Sequence, residues 1–183
     1  MHLYYADLSA IEQQTRQLEA EPCRHCRQTQ LVSHGFVYQK RTGAEPQAVG
    51  KRVFCSNRHR RTGCGRTMRL YLDSTVRYLH YAGQHVVAFV LAVIAGSTVQ
   101  QAYGRATGCA DGRHAWRWLN RLSAQISRYR SLAHRMPMPD ADASPAAHSE
   151  RRGILASTFR GLLQHFGPPL CANYQRHTQR SFW

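Results

Sequence analysis

The chain has 183 residues and a mass of 20.9 kDa, enough for one ordinary domain or two small ones and too short for most multi-domain enzymes. Its 25 basic and 10 acidic residues give a formal charge of +15 and a pI near 10.4, which points to a polyanionic partner. The longest apolar run, residues 86–95, has ten residues where a membrane span needs about 20, so it is read as a core helix. The opening MHLYYADLSAIEQQ has no basic segment followed by an apolar one and does not read as a leader.

All but Lys40 and Lys51 of the basic residues are arginine. Arginine is always charged and presents a planar donor fork suited to phosphate and to guanine edges. A GC-rich genome enriches arginine codons as well, so the bias alone does not decide.

Residues 1–21 carry Leu8, Ile11 and Leu18 at helical offsets, with Ser9 available as a cap, and predict an N-terminal helix. Across residues 22–72 the texture changes to short β-prone runs, LVSHGFVY, KRVF and MRLYL, joined by polar Gly-containing connections. That stretch lacks the apolar mass for a core of its own and needs a staple.

The staple is written in cysteines. Cys23-x2-Cys26 is followed by a hairpin-length insert and then Cys55-x8-Cys64, with Cys64 in a Gly-Cys-Gly turn. Six cysteines in a reducing compartment argue against a disulfide framework. Two pairs flanking β-prone runs fit a zinc ribbon, in which four thiolates from two loops surround one tetrahedral ion. The second pair is irregular, and its long arm leaves room for His59, or for His25 beside the first pair, to replace a cysteine. Four thiolates leave no open position for catalysis, and no His-x-Glu precedes Pro22-Cys23 as a zinc deaminase requires. Cys109 and Cys171 are isolated and read as packing residues. Residues 22–72 hold eleven basic side chains against Glu45 alone. A few can serve the thiolates as hydrogen-bond donors. The remainder form a positive surface, with Arg58, Arg60, Arg61, Arg66 and Arg69 as DNA-binding candidates.

From Ser74 the period becomes helical. Val76, Leu79, Val86, Val90 and Val93 lie on one stripe that stops at Gly96, and Ser97 opens a short helix ending at Gly108. Asp111 can cap a third helix from near Arg113 to about Arg130. Its apolar stripe is Ala115, Leu119, Leu122, Ile126 and Tyr129, with Arg113, Arg117, Asn120, Arg121 and Arg128 outside it. Of Trp116 and Trp118, Trp118 is expected to pack. Three helices with tight breaks fit a helix-turn-helix, whose second helix offers its N-terminal residues to base edges. Arg113, His114, Arg117 and Arg121, with Asn120, are therefore the candidate reading residues. Residues 136–150 read as a flexible linker. Beyond them Leu155, Phe159, Leu162 and Phe166 form a helical stripe, followed by a basic tail that includes His177 and Arg180.

The order of these features resembles small DNA-binding proteins of bacterial insertion sequences and the N-terminal regions of related transposases. In that group a zinc ribbon precedes a homeodomain-like helix-turn-helix. The matching residues are CRHC at 23–26, KRVFC at 51–55, GCGRT at 63–67, and STVQQAYGRATG followed by HAWRWLNRL, over about residues 22–132. The eight residues between Cys55 and Cys64 depart from the short second knuckle usual in the group. The resemblance implies binding to transposon ends or promoter DNA, either to regulate a transposase gene or to assist its complex.

The expected fold is α+β. An N-terminal helix spans 1–21 and a small β zinc ribbon 22–72. A mainly helical helix-turn-helix domain follows over 73–135, then a linker and a C-terminal amphipathic helix or tail over 136–183. The expected function is zinc-stapled, sequence-specific DNA binding as a transposition accessory factor or transcriptional regulator in the cytoplasm, associated with the nucleoid. Double-stranded DNA is the expected partner, with a transposase or recombinase and a second copy of the chain as protein partners that fit. No catalytic residues are assigned, because the acids do not converge as a two-metal triad and no nucleophile follows His177-x-x-Arg180. A truncated or unusual recombination enzyme and an RNA-binding or protein-docking adaptor are the alternative classes.

Overall fold

The computed structural model describes residues 2–40, 45–76, 79, 81–133 and 150–183. The expected linker falls almost wholly outside these residues. Among those described, a four-stranded sheet and six α-helices make an α+β protein, and no helix is long and apolar enough to cross a membrane. The chain divides into two compact units, Met1–His80 with Tyr174–Phe182, and Tyr81–Asn173 with Trp183.

The first unit is a sheet with one helix packed on it. Strands β1 (His2–Tyr5), β2 (Leu31–Gln39), β3 (Gln47–Cys55) and β4 (Thr67–Leu72) lie in the order β1-β4-β3-β2. The β2–β3 and β3–β4 pairs are antiparallel, whereas β1 runs parallel to β4 with His2 beside Arg69 and Tyr5 beside Leu72. Helix α1 (Leu8–Ala20) fills the crossover. Its cap is Asp7 rather than Ser9, because the Asp7 carboxylate accepts the Ala10 amide at 2.7 Å. Ile11 and Leu18 of α1 pack with Leu31, Val53, Met68 and Leu70 in one buried cluster that also contains Cys23 and Cys55. On the opposite face of the sheet, Tyr4, Val49 and Tyr71 form a smaller cluster.

The expected helix from Ser74 begins later, at Gly83. The Gln175 side chain donates to the Asp73 carbonyl at 2.6 Å and to the Thr75 carbonyl at 3.0 Å. A helix would need those carbonyls for its own ladder, so this segment leaves β4 as a turn instead. Val76 and Leu79 are still buried, but in the first unit.

The second unit is helical. Helix α2 (Gly83–Ile94) buries Val86, Phe89, Val90 and Val93. Helix α3 (Val99–Thr107) starts from Thr98, one residue after the expected Ser97, because Thr98 and Gln101 form a reciprocal capping box. It ends at a left-handed Gly108. A single 3-10 turn, Gly112–His114, capped by Asp111, leads into α4 (Ala115–Ala133). Trp118 is buried amid Tyr81, Phe89, Tyr103 and Trp183, with ring centroids 5.1–5.6 Å away, a packing that favours edge-to-face geometry. Trp116 is 54% exposed. In α5 (Glu150–Phe166) the expected stripe Leu155, Phe159, Leu162 and Phe166 is buried. The segment expected as a basic tail instead forms α6 (Leu170–Thr178).

Candidate metal centre and arginine surfaces

The Cys23 and Cys26 turn follows α1. Cys23 donates its amide to the Gln28 carbonyl at 2.9 Å, and Arg27, in left-handed backbone at φ 64°, donates to the Cys23 carbonyl at 2.8 Å. The second pair repeats this pattern. Cys55 donates its amide to the Arg66 carbonyl at 2.9 Å, and Gly65, at φ 73°, donates to the Cys55 carbonyl at 3.0 Å. Cys55, Cys64, Gly65 and Arg66 thus stand as Cys23, Cys26, Arg27 and Gln28 do.

What differs is the spacer, and its length is deceptive. The Gly63 amide donates to the Ser56 carbonyl at 2.9 Å, so Ser56 and Gly63 act as the two spacer residues and residues 57–62 are extruded as a loop. Gly63 is required here: a Cβ would fall on the Ser56 carbonyl and within 2.8 Å of the Cys55 sulfur. The irregular spacing read in the sequence is therefore a Cys-x2-Cys turn with a six-residue loop inserted at its middle.

The two turns bring four sulfurs together. Cys23 and Cys64 lie 3.8 Å apart, Cys26 and Cys55 lie 3.5 Å apart, and all four Sγ atoms fall within 4.8 Å of one another. A tetrahedron with metal–sulfur bonds of about 2.3 Å has edges of about 3.8 Å, so the set fits one tetrahedral ion. Neither alternative histidine belongs to the group. His25 faces Arg66, its Nδ1 2.9 Å from the guanidinium, and His59 is exposed on the extruded loop.

Burial opposes ionisation of Cys23, but the amides of Cys26 and His25 and the Cys55 and Cys64 sulfurs outweigh it and bring the thiol down to about 7. Burial, reinforced by the three other sulfurs against the Cys64 amide, pushes Cys55 up to about 12. Sulfurs this close cannot all ionise unless a cation stands between them. The remaining cysteines are packing residues. Cys171 is buried and donates to the Gly83 carbonyl at 3.5 Å, and Cys109 lies 3.9 Å from the Asp111 carbonyl.

The expected DNA-binding residues fall in two sets, one on each unit. In the first unit Arg58, Arg60 and Arg61 are exposed on the extruded loop, and the Arg58 guanidinium lies 5.6 Å from the Phe54 ring centroid. Arg66 is engaged with His25. Arg69 lies directly across from Arg52, a basic residue of the same segment that is not among the candidates above. The signal was present, since Arg52 and Phe54 sit two apart on a strand and so share a face.

In the second unit, α4 turns Ala115, Trp118, Leu122 and Tyr129 inward and leaves Trp116, Arg117, Asn120 and Arg121 exposed, and His114 is exposed on the turn before it. Leu119 and Ile126 are half-buried. Arg113 is held at the helix start, its Nη2 2.5 Å and its Nε 2.7 Å from Asp111 Oδ2. Arg121 lies 5.9 Å from the Trp183 ring. Among the described residues Arg117 and Asn120 have no such partner.

Comparison of the chain with protein-family models, curated proteins and solved structures gives no match.

Proposed function

We propose that the chain is a zinc-stapled, sequence-specific DNA-binding protein that acts at the ends or promoter of a mobile element, as a transposition accessory factor or transcriptional regulator. The observation that carries the reading is the face of α4. Arg117, Asn120 and Arg121 fall on one side of the helix, opposite the buried Ala115, Trp118 and Leu122, with Arg113 on the turn that leads into it, and the short capped α3 and a tight Gly108–Asp111 connection precede it. A helix-turn-helix offers a major groove this kind of surface, where Arg can take guanine O6 and N7 and Asn can take adenine N6 and N7. Zinc is favoured for the four sulfurs because a closed tetrahedral thiolate set suits a structural d10 ion. Four thiolates on a dication remove two charges from a chain at +15 and leave it strongly cationic. The association with a mobile element rests on the motif resemblance over residues 22–132.

Footprinting on the DNA upstream of the gene and on the ends of any element that encodes it tests the reading. If about six phosphates are neutralised, log K falls against log salt with a slope near −5. Arg117→Ala costs about 1–3 kcal/mol and relaxes preference at one base position. Equal weakening on every sequence would make Arg117 a phosphate clamp, and a flat salt response would sink the reading.

A further inference from the structure

We propose that the sheet face opposite α1 grips the DNA backbone, with one phosphate seated between Arg52 and Arg69 and the strand continuing along Phe54 to the extruded loop. This rests on the DNA-binding reading and names a contact surface for it on the first unit.

Arg52 and Arg69 are directly opposed across β3 and β4, where cross-strand Cβ atoms lie about 5 Å apart and like charges are destabilising. Both are half-buried, and among the described residues neither has a carboxylate partner. The Arg52 Nε is buried without a hydrogen-bond partner, and its Nη2 reaches only the Phe36 carbonyl, at 3.4 Å. A guanidinium carries five donors, so two of them side by side leave a fork of unused N–H groups and a local excess of charge. One phosphodiester between them answers both.

The next pair along this face is Phe54 and Thr67. The Arg58 guanidinium stands over the Phe54 ring, and the His34 ring lies 5.6 Å from it. Arg60 and Arg61 follow on the loop. The cations thus form a track rather than a single spot, which suits a repeating phosphate chain better than one acidic side chain. The acids of the unit are placed or engaged elsewhere, with Glu45 exposed on the connection before β3. Asp7 caps α1, Glu12 and Glu19 are on α1 with Glu19 accepting the Ser33 amide, and Glu21 follows it. Asp73 pairs with Arg176 at 2.7 Å. Lys51 points to the α1 side, over Phe36.

The test uses the full chain and a fluorescein-labelled, mixed-sequence DNA duplex, read by anisotropy across a salt series. Arg52→Gln and Arg69→Gln are each expected to make the slope of log K against log salt shallower by about one, and the double variant to bind about tenfold more weakly. Arg52→Lys and Arg69→Lys keep most of the slope. Because each Gln variant relieves a like-charge pair, melting temperature holds or rises while DNA binding falls, which a merely structural role would not produce. A double variant with the wild-type slope, alongside an Arg117→Ala variant that loses specificity, overturns this face and leaves the proposed function standing. A wild-type protein without salt-dependent DNA binding overturns both. Tighter, Arg52-dependent capture of RNA or of an acidic peptide than of the duplex also overturns the proposal.

Discussion

Gly63 and Ser56 are joined by one backbone hydrogen bond of 2.9 Å, and that bond turns an eight-residue spacer into a two-residue one. The four-sulfur cluster depends on it, since the Cys64 amide is thereby set 3.3 Å from the Cys55 sulfur. Gly63→Ala drives a methyl group into the Ser56 carbonyl. The expected outcome is a loss of about 1–3 kcal/mol of stability, in the range of overpacked sites, with metal affinity at least about tenfold weaker. Metal stoichiometry and a thermal melt check it, and a variant with full metal and an unchanged melt would refute the role given to the neck.

Excision of residues 57–62 joins Ser56 to Gly63 and makes a plain Cys-x2-Cys pair. We expect the shortened chain to keep its metal one for one, because the paired hydrogen bonds around Cys55 and Cys64 match those around Cys23 and Cys26. Cobalt(II) substitution gives the readout, since the ligand-field bands of a tetrahedral thiolate site are retained if the two turns are equivalent. Loss of those bands would mean that the loop helps to build the site.

Gln175 is fully buried and serves three backbone groups, the carbonyls of Asp73 and Thr75 and the amide of Phe182. Gln175→Leu leaves all three without that partner. A buried group left unpaired costs about 1–3 kcal/mol, so the urea midpoint is expected to fall by a large fraction of the total stability with little change in the m-value. Metal stoichiometry serves as the control and stays at one.

Arg113 holds the Asp111 carboxyl down at about 2, through its guanidinium first and its amide second. A carboxyl lowered in the folded state adds stability above its unfolded range and loses it as pH falls through the folded value. The cap on the turn before α4 is therefore expected to be intact above pH about 4 and released only near pH 2. A carboxyl-carbon NMR titration of Asp111 checks this, and Arg113→Ala raises the midpoint part of the way toward the ordinary range, because the backbone amide at 113 still donates to the carboxylate.

The parts of the fold that depend on local pattern were legible in the sequence. The period-two runs gave β2, β3 and β4, the apolar stripes gave α1, α4 and α5, and the cysteine pairs identified the four sulfurs that the fold brings together. The parts that depend on distant partners were not. Strand β1 is four residues long and carries too little alternation to register, since only its parallel pairing with β4 makes it a strand. The non-helical turn after β4 is held by Gln175, about a hundred positions away, and the cap of α1 moved from Ser9 to Asp7 by a choice that propensity alone does not make. The neck at Ser56 and Gly63 could have been suspected from a glycine on each side of Cys64, but not its consequence for spacing.

Gln179 accepts the Tyr4 amide at 2.7 Å and donates to the Tyr4 carbonyl at 3.0 Å, so a side chain 175 positions further along the chain finishes the edge strand β1. During translation the first unit must therefore wait with an incomplete border until Gln179 has been made. A ribosome that stalls after α5 releases a chain whose sheet lacks its closing clasp, and the order of synthesis, rather than the stability of the finished sheet, then sets how long that border stays open to strangers.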